Sequence, residues 1–137
     1  MVAAGIANEG VVMNPRLVDT VIGNDLSVIR SYDDTQFGHA TDATIADQIT
    51  ASMVASVSNG AAQGARIDGV DVAGKTGTTE NGNKPYTLWF TGFAPADDPE
   101  VAVAVLVEDG GGQGQSGSGD TIAAPIAKKV IEAVLGR

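Results

Sequence analysis

Lys75 stands where two chemistries overlap. Within "GVDVAGKTGTTENG", residues 69–82, the letters Gly69, Gly74, Lys75 and Thr76 satisfy the phosphate-loop pattern G-x-x-x-x-G-K-[ST]. The same lysine opens Lys75-Thr76-Gly77-Thr78, a K-T-G-T run that sets one cation and two hydroxyls along an extended chain. In the first reading Lys75 holds a nucleotide phosphate. In the second it belongs to a strand that cradles an extended, carboxylate-ended substrate.

A phosphate loop needs more than its letters. Its glycines must let successive N–H groups curl around a phosphate, and a helix must begin at the Lys-Thr pair. Here Val70-Asp71-Val72-Ala73 alternate as a strand, and "GTTENGNK" offers two glycines and two asparagines where the helix should start. The preceding "AAQGARID" is small and polar where an apolar strand is required. "VAVAVLVED" resembles the acid-ended strand that assists magnesium, yet many interior strands that run into a loop end this way. An ATPase is therefore the weaker reading. In the strand reading Lys75 and Gly77 project to one side, Thr76 and Thr78 to the other. Gly77 removes a side chain so that a second peptide can lie alongside. Free edge N–H groups, hydroxyls and a cation suit a peptide ending in a carboxylate, such as a D-Ala-D-Ala terminus.

The surrounding pattern supplies elements to position that strand. Val2 to Ala7 reads as the end of a helix, closed near Asn8 and Gly10. "VVMNPRLVDTVIGNDLSVIRSY" reads as a β-hairpin around Gly23-Asn24-Asp25, and Asp33 to Ala40 as a polar loop. Ile45, Ile49, Met53 and Val57 recur every four residues as one helix face, with Val54 beside them. Thr41 or Thr44 is expected to cap that helix and Asn59-Gly60 to end it. "GAAQGARIDG" is a small-residue loop. Tyr86 to Phe93 and Val101 to Val107 form a second hairpin across "APADDPE", and the valine strand, apolar on both faces, is expected in the interior. "DGGGQGQSGSGD" reads as a flexible linker. Thr121 to Leu135 reads as a helix with Pro125 in its first turn and Ile126, Val130 and Val134 in one row. An antiparallel sheet of about five strands with helices on its faces, an α+β fold, follows from this order.

The chain has 137 residues, one domain or part of one, and could bury roughly two-thirds of its unfolded surface. Eight Lys and Arg against seventeen Asp and Glu give a net charge of −9, which disfavours nucleic acid and anionic membranes as partners. The absence of cysteine excludes disulfides, thiolate metal sites and cysteine nucleophiles. No run approaches about eighteen apolar residues. "MVAAGIANEG" begins a helical pattern with no cap or polar lead-in, which suggests a truncated start.

"VAGKTGTTENGNKPYTLWFTGFAPADDPEVAVAVLVED", together with "GSGDTIAAPIAKKVIEAVL" and "MVAAGIANEGVVMNPRLV", resembles the C-terminal part of penicillin-binding protein transpeptidase domains, of the monofunctional class B type. The resemblance covers essentially all of residues 1–137. It implies an incomplete serine acyltransferase domain of the β-lactamase and transpeptidase type. It also implies a parent on the extracytoplasmic face of the bacterial membrane, and no cofactor. That family uses S-x-x-K, S-x-N and K-T-G. None of the seven serines here is followed by Lys three residues on or by Asn two residues on, so only the third motif is present. Ser27 comes nearest, with Arg30 in the lysine's place. The nucleophile-bearing portion is expected upstream, and this chain alone is expected to be inactive.

The resemblance implies roles for Lys75 beside the nucleophile and for Thr76, Gly77 and Thr78 in binding substrate. The Thr78 backbone N–H would form half of an oxyanion hole, a donor whose loss typically costs on the order of a hundredfold in rate. The partners implied are the D-Ala-D-Ala stem peptide, β-lactams and the missing upstream half, with self-association of the exposed apolar surface left by its absence. A non-catalytic interaction module built on the same half-domain is the alternative. His39 reads as a solvated loop residue, and Asp97-Asp98 as turn residues rather than a metal pair. Trp89 and Phe93 are expected in the core. Glu80 and Asn81 read as loop residues that could line a cleft, and Gly110 to Gly119 as a linker or a mobile flap.

Overall fold

The computed structural model describes residues 1–137. Helix α1 (Val2–Ala7) ends where Glu9 and Gly10 turn left-handed, at φ 53° and 86°. Gly10 is required there, because a Cβ would lie 2.2 Å from the Thr41 carbonyl oxygen. Strand β1 (Val11–Met13) then leaves the expected hairpin and pairs antiparallel with β4 (Gln36–His39). Part of the segment read as a polar loop is thus a strand. Its backbone gains ladder hydrogen bonds while Phe37 stays 72% exposed, so no apolar alternation marked it.

The hairpin around Gly23-Asn24-Asp25 forms as expected, from β2 (Thr20–Ile22) and β3 (Val28–Ser31). Its turn is tied by the Asp25 carboxylate, which accepts from the Ser27 hydroxyl at 2.6 Å and the Ser27 amide at 3.1 Å. Those bonds, the hydroxyl's first, hold the Asp25 carboxyl below its ordinary value. Arg16 ties the base of this ribbon, pairing with Asp19 and Asp34 at 2.9 Å each.

Helix α2 (Ala43–Asn59) is capped by Asp42, whose carboxylate accepts from the Ile45 amide at 2.9 Å. Neither Thr41 nor Thr44 fills that place. An aspartate satisfies an orphan N–H and also meets the positive end of the helix dipole. The helix buries Ala46, Met53 and Val57, with Ile49 half-buried, while Ile45 remains 42% exposed. The apolar row therefore faces the core at its C-terminal end only.

The principal sheet has three strands in the order β5-β6-β7: β5 (Ala73–Asn81), β6 (Lys84–Ala94) and β7 (Val101–Val107), all antiparallel. The expected five-stranded sheet is thus three strands plus two separate two-stranded ribbons. One face carries Phe90 and the β7 valines against α3 (Ala124–Val134), with Leu88 buried on the same side. Ala62, Ala65 and Ile67 of the small-residue loop complete that core. The other face is covered at one end, where Ala3 of α1 and Met53 of α2 pack on Ala73 and Phe93.

Two expectations about the helical and strand faces change. The valine strand is an edge strand, and Ala102, Ala104 and Leu106 on its second face are exposed. In α3 the buried residues are Ala124, Ala127 and Ile131, while Ile126, Val130 and Val134 form an outward stripe. A π-turn over Gly119–Ala123 leads into α3, with Ser118 accepting from the Thr121 amide at 3.1 Å.

The cap assignment is directly measurable. Asp42→Ala should lower stability by about 1 kcal/mol, whereas Thr44→Ala, on the exposed first turn, should stay within about 0.5 kcal/mol. Urea unfolding of the two variants beside the parent chain checks it, and equal losses would move the cap elsewhere.

Candidate active site

The K-T-G-T run lies mid-strand in β5, which pairs on one side only. Every second N–H and C=O of an antiparallel edge strand points away from its neighbour, toward whatever approaches. Lys75 pairs in register with Thr91, Thr76 with Phe90, Gly77 with Trp89 and Thr78 with Leu88. Lys75, Gly77 and Thr79 therefore share one face with Thr91, Trp89 and Thr87. Thr76 and Thr78 share the other with the buried Phe90 and Leu88.

Lys75 is exposed, and its Nζ donates to the Thr76 carbonyl oxygen at 2.6 Å. Its side chain stands at the rim of a groove of about 670 Å³. Val2, Ile6, Ile45, Ile49 and Met53 of α1 and α2 line that groove, which is open and mainly apolar apart from the cation. The Thr76 hydroxyl donates to the Ala61 carbonyl oxygen at 3.0 Å and pins β5 to the turn after α2. Thr78 is exposed, and its hydroxyl has no partner within the chain.

Glycine spaces the strand differently at its two positions. At Gly74 a Cβ would lie 2.5 Å from Phe90 Cζ and 3.0 Å from Val57 Cγ2, so the ring occupies that space. At Gly77 a Cβ would meet Trp89 Cβ at 3.4 Å, an ordinary contact. Gly77 is thus open on the Lys75 face, bounded by Trp89.

Several sequence expectations are relocated. Trp89 is 41% exposed, not core, and its Nε1 donates to Thr79 Oγ1 at 3.2 Å. It flanks the Lys75 face two strand positions from Thr91, a place set by the pairing register. Phe93 is buried as expected. Glu80 and Asn81 belong to β5 rather than a loop, and Asn81 Nδ2 donates to the Pro85 carbonyl at 2.9 Å, closing the hairpin corner. His39 lies in β4, outside the principal sheet and exposed. Asp97 and Asp98 are exposed in the β6–β7 turn, and no cluster of three metal-ligating side chains exists. The glycine-rich segment is not free: Asp109–Gly112 forms a tight turn of left-handed residues, and Gly119 packs on β5 and β6. Lys75 and Thr76 sit inside a strand that runs on to Asn81, and no helix starts at them, so the loop-to-helix turn that a phosphate loop requires is missing.

A lysine and two threonines thus lie on a free sheet edge, with a groove beside the cation and a C-terminal helix behind the sheet. The chain belongs to the penicillin-binding protein transpeptidase family, whose transpeptidase domain model matches residues 1–132. It is 46% identical, over 98% of its length, to the peptidoglycan D,D-transpeptidase PbpA of Mycolicibacterium smegmatis, and 43% identical to PbpA of Mycobacterium tuberculosis. It spans 28% of the length of each. Among solved structures, a ceftriaxone acyl-enzyme complex of M. tuberculosis penicillin-binding protein A superposes with a TM-score of 0.91 at 43% identity. That match covers 98% of this chain and 31% of that one. The D,D-transpeptidase domain of a peptidoglycan glycosyltransferase from Eggerthella lenta gives 0.88 at 38% identity, covering 99% and 30%.

The glycine geometry predicts a contrast between neighbours. Gly74→Ala overpacks the Phe90 ring and should cost about 1–3 kcal/mol, whereas Gly77→Ala should leave stability within about 0.5 kcal/mol. Chemical denaturation of both variants decides it, and an equal effect would contradict the placement of Phe90.

Proposed function

We propose that this chain is the substrate-cradling section of a peptidoglycan D,D-transpeptidase, and that the remainder of the domain supplies the nucleophile. The observation that carries the reading is the free edge of β5, with K-T-G-T on it and an apolar groove beside Lys75. Two further apolar surfaces lack a covering layer, the Leu106 face of β7 and the Ile126-Val130-Val134 stripe of α3, and the outer edge of β7 is unpaired. Such surfaces are what a section of a larger domain leaves open.

In this reading a stem peptide lies along the free edge of β5, its terminal carboxylate on the Thr76 and Thr78 side of the strand. The hydroxyls of Thr76 and Thr78 take that carboxylate, Thr76 exchanging its bond to Ala61 for the ligand. A serine Oγ from the remainder of the domain attacks the penultimate D-Ala carbonyl carbon. The resulting oxyanion is held by the Thr78 N–H and by the nucleophile's own N–H, and Lys75 stabilises the surrounding negative charge. The C–N bond breaks, and terminal D-Ala leaves with the serine's proton on its nitrogen. An acceptor amine then attacks the acyl-serine, forms the cross-link and returns the proton to serine. A β-lactam enters the same path, but its cleaved nitrogen stays tethered. Gly77 keeps the strand low enough for the peptide to pass. The parent acts on the extracytoplasmic face of the membrane.

Labelling with a fluorescent penicillin, read by intact mass, tests the reading. The chain extended upstream through its whole transpeptidase domain should gain one adduct and this chain none. A parent that fails to label would point to the non-catalytic module instead. Label on the short chain would make one of its own serines the nucleophile.

The uncovered surfaces also predict self-association of the isolated chain. The seven residues of β7 carry no charge to guard the edge. Light scattering after size exclusion should report dimers or larger species, and a clean monomer at high concentration would refute this.

A further inference from the structure

We infer that Gln115 is a positioning residue of the transpeptidase site, acting as the clasp that locks the tip of the β5–β6 hairpin. Its Nε2 donates to the carbonyl oxygens of Gly82 at 2.7 Å and Lys84 at 3.1 Å, more than thirty residues away in sequence. Those two carbonyls flank the hairpin turn, where Gly82 sits at φ 64°. Beside them the Tyr86 amide donates to the Gly114 carbonyl at 3.2 Å. The glycine-rich crossover is therefore bound to the hairpin at its tip.

The same crossover is bound at its other end. A Cβ on Gly117 would lie 2.6 Å from the Gly110 carbonyl oxygen, and one on Gly119 would lie 2.5 Å from the Trp89 carbonyl and 3.0 Å from that of Gly77. Gly119 thus presses on the backbone of K-T-G-T, while Gln115 holds the turn into which that strand runs. Between the two contacts lie Thr78, Thr79 and Glu80, which have no sheet partner on their outer edge. An edge strand held at one point pivots. Held at both ends, it keeps a fixed twist, and its outward N–H groups stay aimed at one place.

The role presupposes the transpeptidase reading above. Two exposed neutral hydrogen bonds contribute modestly, so the expected effect of losing them is about three- to thirtyfold. In the isolated chain Gln115→Ala should raise hydrogen exchange by that factor at Tyr86 and across the β5–β6 turn, leaving α2 and α3 unchanged. In the full-length parent the same variant should slow the acylation step by a β-lactam several-fold, with little change in the affinity that precedes acylation or in Tm. Gln115→Glu keeps the size but has no N–H to donate, and should behave as Ala. Gln115→Lys restores a donor and should recover part of the rate.

Unchanged exchange at the turn would remove the clasp. Faster exchange with unchanged acylation would remove its positioning role. Equal effects on affinity, acylation and Tm would reduce Gln115 to a structural residue. A wild-type parent that does not acylate would overturn the transpeptidase reading, and the positioning role with it, even where the exchange result stands.

Discussion

The ring of Phe90 occupies the volume that a side chain at Gly74 would need. Much of the molecule follows from that contact. Phe90 is fully buried at the centre of the middle strand, with Val57 of α2 and Ile131 of α3 in the same core. Because the ring reaches Gly74, the residue immediately before Lys75, the packing of the core determines the height at which the K-T-G-T strand runs. Protein interiors are packed near crystal density, so such a contact transmits displacement rather than absorbing it. Gly92 shows the same economy on β6, where a Cβ would meet the Ala73 carbonyl oxygen at 2.4 Å. The strand is thus placed by glycines that let neighbours come close, not by side chains of its own.

A second constraint opposes the first. A strand that binds a peptide must leave one edge unpaired, and unpaired edges are both mobile and adhesive. Here α2 and the turn after it hold one end of β5, through Met53 against Ala73 and through the Thr76 hydroxyl on Ala61. The glycine-rich crossover holds the rest. Its run of left-handed residues, Asp109 to Gly112 and Gly114, lets it fold back over β6 within a few residues. The result is a site edge that is open laterally and restrained from behind. Lys75 faces the groove between α1 and α2, so the cation lies at the junction of the sheet and the helical layer.

What could be read from the letters followed physical periodicity. The existence of α2, the two long strands and the final helix is legible in apolar spacing, and the K-T-G-T strand in the implausibility of a phosphate loop in an alternating run. The misses have one cause. Strand β4 has no buried face, so pairing with β1 alone makes it a strand. Ile126, Val130 and Val134 are as apolar as a core row, yet the small residues Ala124 and Ala127 face the sheet because α3 lies close to it. Trp89 shares a strand with Phe93, which points to the core, whereas its register opposite Gly77 leaves it half-exposed beside Lys75's face. The glycine-rich segment looked unable to order by itself. It orders because other elements donate to it and accept from it.

Sequence alone determined which groups the strand carries and the local conformation that presents them. A lysine, two threonines and a glycine in an alternating context form a strand, and no helix can start after them. Spacing of two against spacing of four is encoded residue by residue, so it needs no partner to be legible. Tertiary structure decided which edge of the sheet stays free, which apolar faces are covered, and that Gly119 and Gln115 close on the K-T-G-T hairpin from far along the chain. Those outcomes depend on contacts between residues tens of positions apart, which no local pattern carries. Shape and register settle them, and both exist only once the sheet has formed.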